Sequence, residues 1–160
     1  MRFVLFILFL SSSFVFAEPK IYTLTLASSW GEQIPFLGSA PHKVAKLADA
    51  MSNGRLKIKV DFPQKHKAPL GIMDMVKEGL YDMGYTTSVY YKGKDYKLVF
   101  FMTTPFGMNT QEQYAWYYHG GGKELFEKVY MPYGLVAYPG GSVGMSMGGW
   151  FKKEIKSLDD

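Results

Sequence analysis

RLKIKVDF, residues 55–62, is the stretch that decides the fold. Leu56, Ile58, Val60 and Phe62 fall on one side of a period of two, and Arg55, Lys57, Lys59 and Asp61 on the other. That alternation belongs to a β-strand with one face on a core and one in solvent. Upstream the period changes. Over residues 41–52, Val44, Leu47, Ala48 and Met51 recur at helical spacing, Ser39 is a candidate N-cap, and Asn53-Gly54 is a stop. Before that helix, IYTLTLA at 21–27 predicts another strand, with Tyr22, Leu24 and Leu26 on one face. Downstream, residues 68–78 predict a second helix that turns Leu70, Met73 and Val76 to the core and closes at Gly79. Residues 81–87 then predict a short buried strand that opens into a ligand-facing loop. Strand, helix, strand, helix, strand is the order of an α/β domain.

The second half is less periodic. Residues 97–102 are apolar enough to pack, as strand or turn, and Pro105-Phe106-Gly107 is a rigid turn. Thr110 and Gln113 have the spacing of a capping box for a helix through Tyr118 that breaks at Gly120-Gly121-Gly122. Residues 123–130 predict another helix with Leu125, Phe126 and Val129 inward. Residues 135–138 and 142–147 predict two strands around Pro139-Gly140-Gly141.

The amino terminus has a different character. Arg2 precedes an apolar run over residues 3–10, three serines follow, and Val15 and Ala17 suit the small positions of a cleavage site. Residues 1–17 therefore read as a secretory signal peptide, too short and serine-broken for a membrane span of about 20 apolar residues. No cysteine is present, so disulfides, thiolate metal sites and a cysteine nucleophile are excluded. An exported chain without disulfides needs a hydrophobic core, and the periplasm suits it. The net charge of +4 is mild, and the lysines are dispersed along strand and loop faces, which argues against a nucleic-acid partner.

Little points to catalysis. His42, His66 and His119 form no metal-binding spacing, and no metal ligand set is assigned. The glycines at 120–122 and 141–148 lack the sequence context of a phosphate or dinucleotide loop. No Gly-x-Ser-x-Gly occurs. What remains is aromatic: Trp30, Tyr85, Tyr90, Tyr91, Phe106, Trp116 and Trp150 stand at or near loops and element ends, where they could line a cleft or pack a core. Three function classes stay open on residues alone: a binding protein, a secreted interaction or structural protein, and a small secreted hydrolase.

Ser29-Trp30, MSNGRLKIKV at 51–60, GLYDMGY at 79–85, YYKGK at 90–94, PFGMNTQEQYAW at 105–116 and GGWFKKEIKSLDD at 148–160 occur in one order. Together they resemble the solute receptors of tripartite ATP-independent periplasmic (TRAP) transporters, of the DctP type. The similarity is greatest to the branch for mannitol, chloroaromatic or 2-oxo acid uptake. The resemblance implies a periplasmic-binding-protein-like (type II-like) α/β fold of two lobes. Residues 18–140 would be the first lobe and 141–160 a crossing segment into a second, so the sequence reads as an N-terminal fragment. It implies a non-catalytic receptor for a small carboxylate such as a 2-oxo acid, delivered to a TRAP membrane permease. Carried over by position, Trp30, Tyr85, Tyr90 and Phe106 are cleft residues of the first lobe, and Ser142, Ser146 and Trp150 belong to the crossing segment. Where the 2-oxo acid branch often has Asn and Gln, this chain has Ser142 and Ser146, which leaves open whether a 2-oxo acid is held directly or through water. The arginine that pairs with the solute in the family falls beyond Asp160, and Arg55, opening an exposed strand, is not cast in that role. The family also includes members that bind a cation beside the solute and members that form homodimers by exchanging a C-terminal helix.

Overall fold

The computed structural model describes residues 20–102, 104–144, 149–157 and 159. The signal peptide expected over residues 1–17, and residues 145–147 of the strand expected at 142–147, Ser146 among them, lie outside the described residues, while residues 142–144 are not in a strand. Three parallel strands form the sheet in the order β2-β1-β3, with β1 Tyr22–Ser28, β2 Leu56–Asp61 and β3 Met83–Tyr85. β1 pairs with β2 from Tyr22↔Leu56 to Ala27↔Asp61, and with β3 from Leu26↔Met83 to Ser28↔Tyr85. Parallel neighbours need crossover connections, which the helices supply. The chain leaves β1 to one side through α1 (Ser39–Met51) and returns past it through α2 (Pro63–His66) and α3 (Ile72–Lys77). β1 is thus the central strand, and Leu26, Ala27 and Ser28 are buried at its carboxyl end, as a strand covered on both faces should be.

α3 lies close on the sheet because β3 carries Gly84. A Cβ there would stand 2.6 Å from Ile72 Cγ2 and 3.2 Å from Val76 Cγ2, and Ile72 is fully buried. Past β3 the chain forms 3-10 turns at Ser88–Tyr91 and Tyr96–Phe101, then α4 (Thr110–His119), α5 (Gly122–Tyr130) and a 3-10 turn at Met131–Tyr133. These build the main apolar cluster: Met73, Tyr91, Leu98 and Tyr130 are buried, and Phe126, Val129, Tyr133, Leu135 and Ala137 pack against them. Phe126 sits among rings, 4.5 Å from Phe101, 4.9 Å from Tyr130 and 5.8 Å from Tyr117 between centroids. Burial pushes the Tyr130 phenol up to about 12.

Several expectations need correction. α1 begins at Ser39, which is its first helical residue, and the N-cap is Gly38. Its apolar stripe is not covered. The helix meets β2 along the side where Asp49 pairs with Lys57 Nζ at 2.6 Å, so Val44 and Leu47 stay exposed and Met51 is 86% exposed. The helix expected at 68–78 is split: Lys67 turns left-handed (φ 61°), α3 starts only at Ile72, and Leu70 is exposed while Ile72 and Met73 take the core positions. The capping box is one residue earlier than expected. Asn109 Oδ1 accepts from the Glu112 amide at 3.0 Å, and Glu112 Oε2 accepts from the Asn109 amide at 2.8 Å. Asn is among the strongest N-caps, and its Glu three residues on completes the box. Gln113 instead donates through Nε2 to the Phe101 carbonyl at 3.3 Å. Leu125 is exposed, while Phe126 and Val129 point inward as expected. Residues 135–138 keep the alternation of a strand, with Leu135 and Ala137 on the core and Val136 and Tyr138 in solvent, yet pair in no ladder among the described residues. Residues 97–102 resolve as the 3-10 turn. Among the described residues, no helix is long and apolar enough to cross a membrane.

Candidate functional site

In an open parallel sheet the crevice forms beyond the carboxyl ends of strands that connect to opposite sides. Here that point lies between β1 and β3. The Ser29 amide donates to the Tyr85 carbonyl at 2.9 Å, which ties the first residue beyond β1 to the end of β3. Ser28 Oγ accepts from the Trp30 amide at 3.2 Å and donates to the Trp30 carbonyl at 3.0 Å, folding a tight turn. His66 braces the same strand end. Its Nδ1 faces the Ala68 amide at 3.2 Å and must accept, so Nε2 carries the proton and donates to the Ser28 carbonyl at 2.9 Å.

This turn sets Trp30 against two other rings. Tyr85 meets it edge-on at 5.2 Å and 65°, and Tyr90 lies tilted at 6.2 Å. Three of the residues expected from the sequence therefore come together at the switch point. The Tyr85 phenol is raised, by burial first and then by nearby Tyr114 on α4. Gly140 lets the returning chain pass against the Tyr85 ring, since a Cβ there would stand 2.8 Å from Tyr85 Cε2. Two residues further, Ser142 Oγ lies 3.0 Å from Thr110 Oγ1 at the start of α4 and accepts from the Gly144 amide at 3.2 Å. Segment 140–142 thus links the aromatic trio to α4. Phe106 and Trp150 do not join the trio: Phe106 is fully exposed on a left-handed backbone (φ 58°), and Trp150 is 91% exposed. Trp116 stacks on Phe101 at 6.2 Å and lines a separate apolar hollow of about 260 Å³ with Phe100, Leu125 and Val129.

The sequence reading did not single out Ser29 and Thr86 as site residues, nor the phenol of Tyr91. Ser29 Oγ donates to Thr86 Oγ1 at 2.7 Å, Thr86 Oγ1 lies 2.7 Å from Tyr91 Oη, and the Met73 amide donates to that phenol at 3.2 Å. No spacing rule signals such a network, because its members meet only through the sheet. The trio supplies apolar surface and phenol hydroxyls and no formal charge. Among the described residues, no group of three or more His, Asp or Glu could hold a metal ion.

The DctP family model, of bacterial extracellular solute-binding proteins (family 7), matches residues 26–160. A monocarboxylate 2-oxoacid-binding periplasmic protein of Nostoc is 43% identical over 137 residues, which cover 84% of this chain and 37% of the relative. A TRAP periplasmic solute-binding protein from Colwellia psychrerythraea, solved with calcium and pyruvate, is 52% identical with a TM-score of 0.84; the match covers 88% of this chain and 43% of that one. One from Pseudoalteromonas atlantica, solved with sodium and pyruvate, is 50% identical with a TM-score of 0.83 over the same shares. The chain thus spans less than half the length of these relatives. Its parallel α/β architecture is that of a periplasmic binding protein, and the chain belongs to the DctP family of bacterial extracellular solute-binding proteins.

Proposed function

We propose that this chain is the ligand-facing part of a periplasmic receptor that captures a small monocarboxylate, of the 2-oxo acid class, for a TRAP permease. The observation that carries this reading is the trio of Trp30, Tyr85 and Tyr90 at the carboxyl ends of β1 and β3. A small organic anion buries its carbon skeleton against such rings and turns its oxygens to hydroxyls and to a guanidinium. The pyruvate in the two similar crystal structures supports the solute class. The role is capture and release, without bond-making.

In this reading residues 18–140 form the first lobe, and residues 141–160 lead into a second that completes the cleft. Binding shifts the population toward a closed form with more solute contacts, which docks on the permease. Phe106, Ser142 and Trp150 join the cleft on closure, and Ser146 is a cleft residue by its position in the sequence. The sodium and calcium of the two similar structures make a cation beside the solute part of the proposal, held by second-lobe residues, and a homodimer stays within it for the intact receptor. The test is calorimetric titration of pyruvate into protein expressed from the reading frame that contains this sequence. Saturable binding that weakens at least about tenfold in Trp30→Ala supports the reading, that factor being 1.4 kcal/mol. Absence of binding by pyruvate and other 2-oxo acids would overturn it.

A further inference from the structure

We propose that Tyr91 is a positioning residue for the solute site, acting through its phenol oxygen on the loops that carry Trp30, Tyr85 and Tyr90. The inference rests on the receptor reading, and it concerns residues outside the aromatic trio. Tyr91 is 2% exposed, and its ring belongs to the apolar cluster with Met73, Leu98 and Tyr130. A phenol so buried must satisfy its oxygen and its proton inside the protein. The Met73 amide donates to the oxygen at 3.2 Å, and Thr86 Oγ1 lies 2.7 Å from it, in reach of a hydroxyl–hydroxyl hydrogen bond. Ser29 Oγ donates to the same threonine oxygen, also at 2.7 Å. One buried network therefore ties three segments: the exit of β1, the exit of β3 and the first turn of α3.

The chain order gives the network its consequence. Ser29 precedes Trp30, Thr86 follows Tyr85, and Tyr91 follows Tyr90. Each hydroxyl is covalently next to one ring of the trio. Each hydroxyl shares a backbone link with one ring, so fixing the hydroxyl restricts the backbone that carries the ring. Burial holds the Tyr91 phenol above its ordinary range, and the network stays a set of neutral hydrogen bonds through the physiological range. Such preorganisation lowers the ordering cost of capture without touching the solute.

The test uses Thr86→Val, which removes the hydroxyl and keeps the shape, Thr86→Ser, which restores it, Tyr91→Phe, and Ile58→Ala as a packing lesion on β2, across β1 from the network. Pyruvate affinity is measured by calorimetry. The indole N–H resonance of Trp30, assigned by its loss in Trp30→Phe, is followed without solute. Thr86→Val and Tyr91→Phe are expected to weaken pyruvate binding about three- to tenfold and to move the Trp30 resonance. Thr86→Ser should return both toward wild type, and Ile58→Ala should leave both near wild type in the folded protein. The proposal is overturned if Thr86→Val leaves the Trp30 resonance in place, or if Ile58→Ala weakens binding as much as Thr86→Val. Wild-type protein that binds no 2-oxo acid would overturn the receptor reading instead, and the Trp30 resonance would still decide the role of Tyr91.

Discussion

Gly140→Ala reaches the site without altering any side chain in it. The added Cβ would lie 2.8 Å from Tyr85 Cε2 and 3.3 Å from Cδ2. Carbon atoms settle near 3.5–4.0 Å, so the ring must recede by roughly 0.7 Å or more. The backbone is not the obstacle, because Gly140 is not among the glycines with positive φ. Alanine there narrows the unfolded ensemble, which stabilises by about 0.4–1 kcal/mol. Against this stands the edge contact between Tyr85 and Trp30, centroids 5.2 Å apart, a geometry that contributes about 0.5–1.5 kcal/mol. The two terms nearly cancel in stability. They do not cancel in binding, because only the folded site sees the displaced ring. The expected result is a melting temperature close to wild type, a changed near-ultraviolet circular dichroism band, and pyruvate affinity lower by about three- to tenfold. Wild-type affinity together with an unchanged aromatic band would refute the contact between the returning chain and Tyr85.

Other substitutions test the packing. Gly84→Ala drives a methyl group to 2.6 Å from the fully buried Ile72, and should cost about 1–3 kcal/mol in urea unfolding by overpacking. Leu98→Ala empties the centre of the apolar cluster and should cost about 2–5 kcal/mol, seen as a lower urea midpoint with little change in slope. The Tyr117 hydroxyl is buried with no hydrogen-bond partner among the described residues, so Tyr117→Phe should stabilise by about 1 kcal/mol in the same assay. Acid should act through Asp61. Burial raises its carboxyl, but hydrogen bonds from Lys65 and Tyr81 and the charge of Lys65 outweigh that and leave it below the ordinary value. A depressed carboxyl contributes stability above its unfolded value, near pH 4, and loses it as pH falls through the folded one. Asp61→Asn should therefore flatten the loss of stability below about pH 4, read from melting temperatures across a pH series.

The strand pattern at 55–62 carried most of the fold, because alternating burial is written directly in residue order. The helices were legible in place but not in orientation. Val44, Leu47 and Met51 have core spacing, yet what covers a stripe is decided by elements elsewhere in the chain. The split near Lys67 was hidden because a left-handed residue other than glycine leaves no mark in the sequence. Thr110 and Gln113 have the spacing of a capping box, but Asn109 and Glu112 have it too, and only the folded backbone decides between the two pairs. At the site, Trp30, Tyr85 and Phe106 could be named as aromatics at strand ends or turns and Tyr90 from the family resemblance; the structure brings Trp30, Tyr85 and Tyr90 together and leaves Phe106 apart. The hydroxyl chain through Ser29, Thr86 and Tyr91 could not, because it joins residues far apart in sequence and depends on the β1–β3 register.

The most direct measurement follows the Trp30 indole N–H resonance while pyruvate is titrated in, with Trp116, stacked on Phe101 in a separate hollow, as the internal control. A saturable shift is expected at Trp30, with Trp116 nearly still. Pyruvate that binds while the Trp30 resonance stays in place would contradict the claim that the aromatic trio forms a wall of the site.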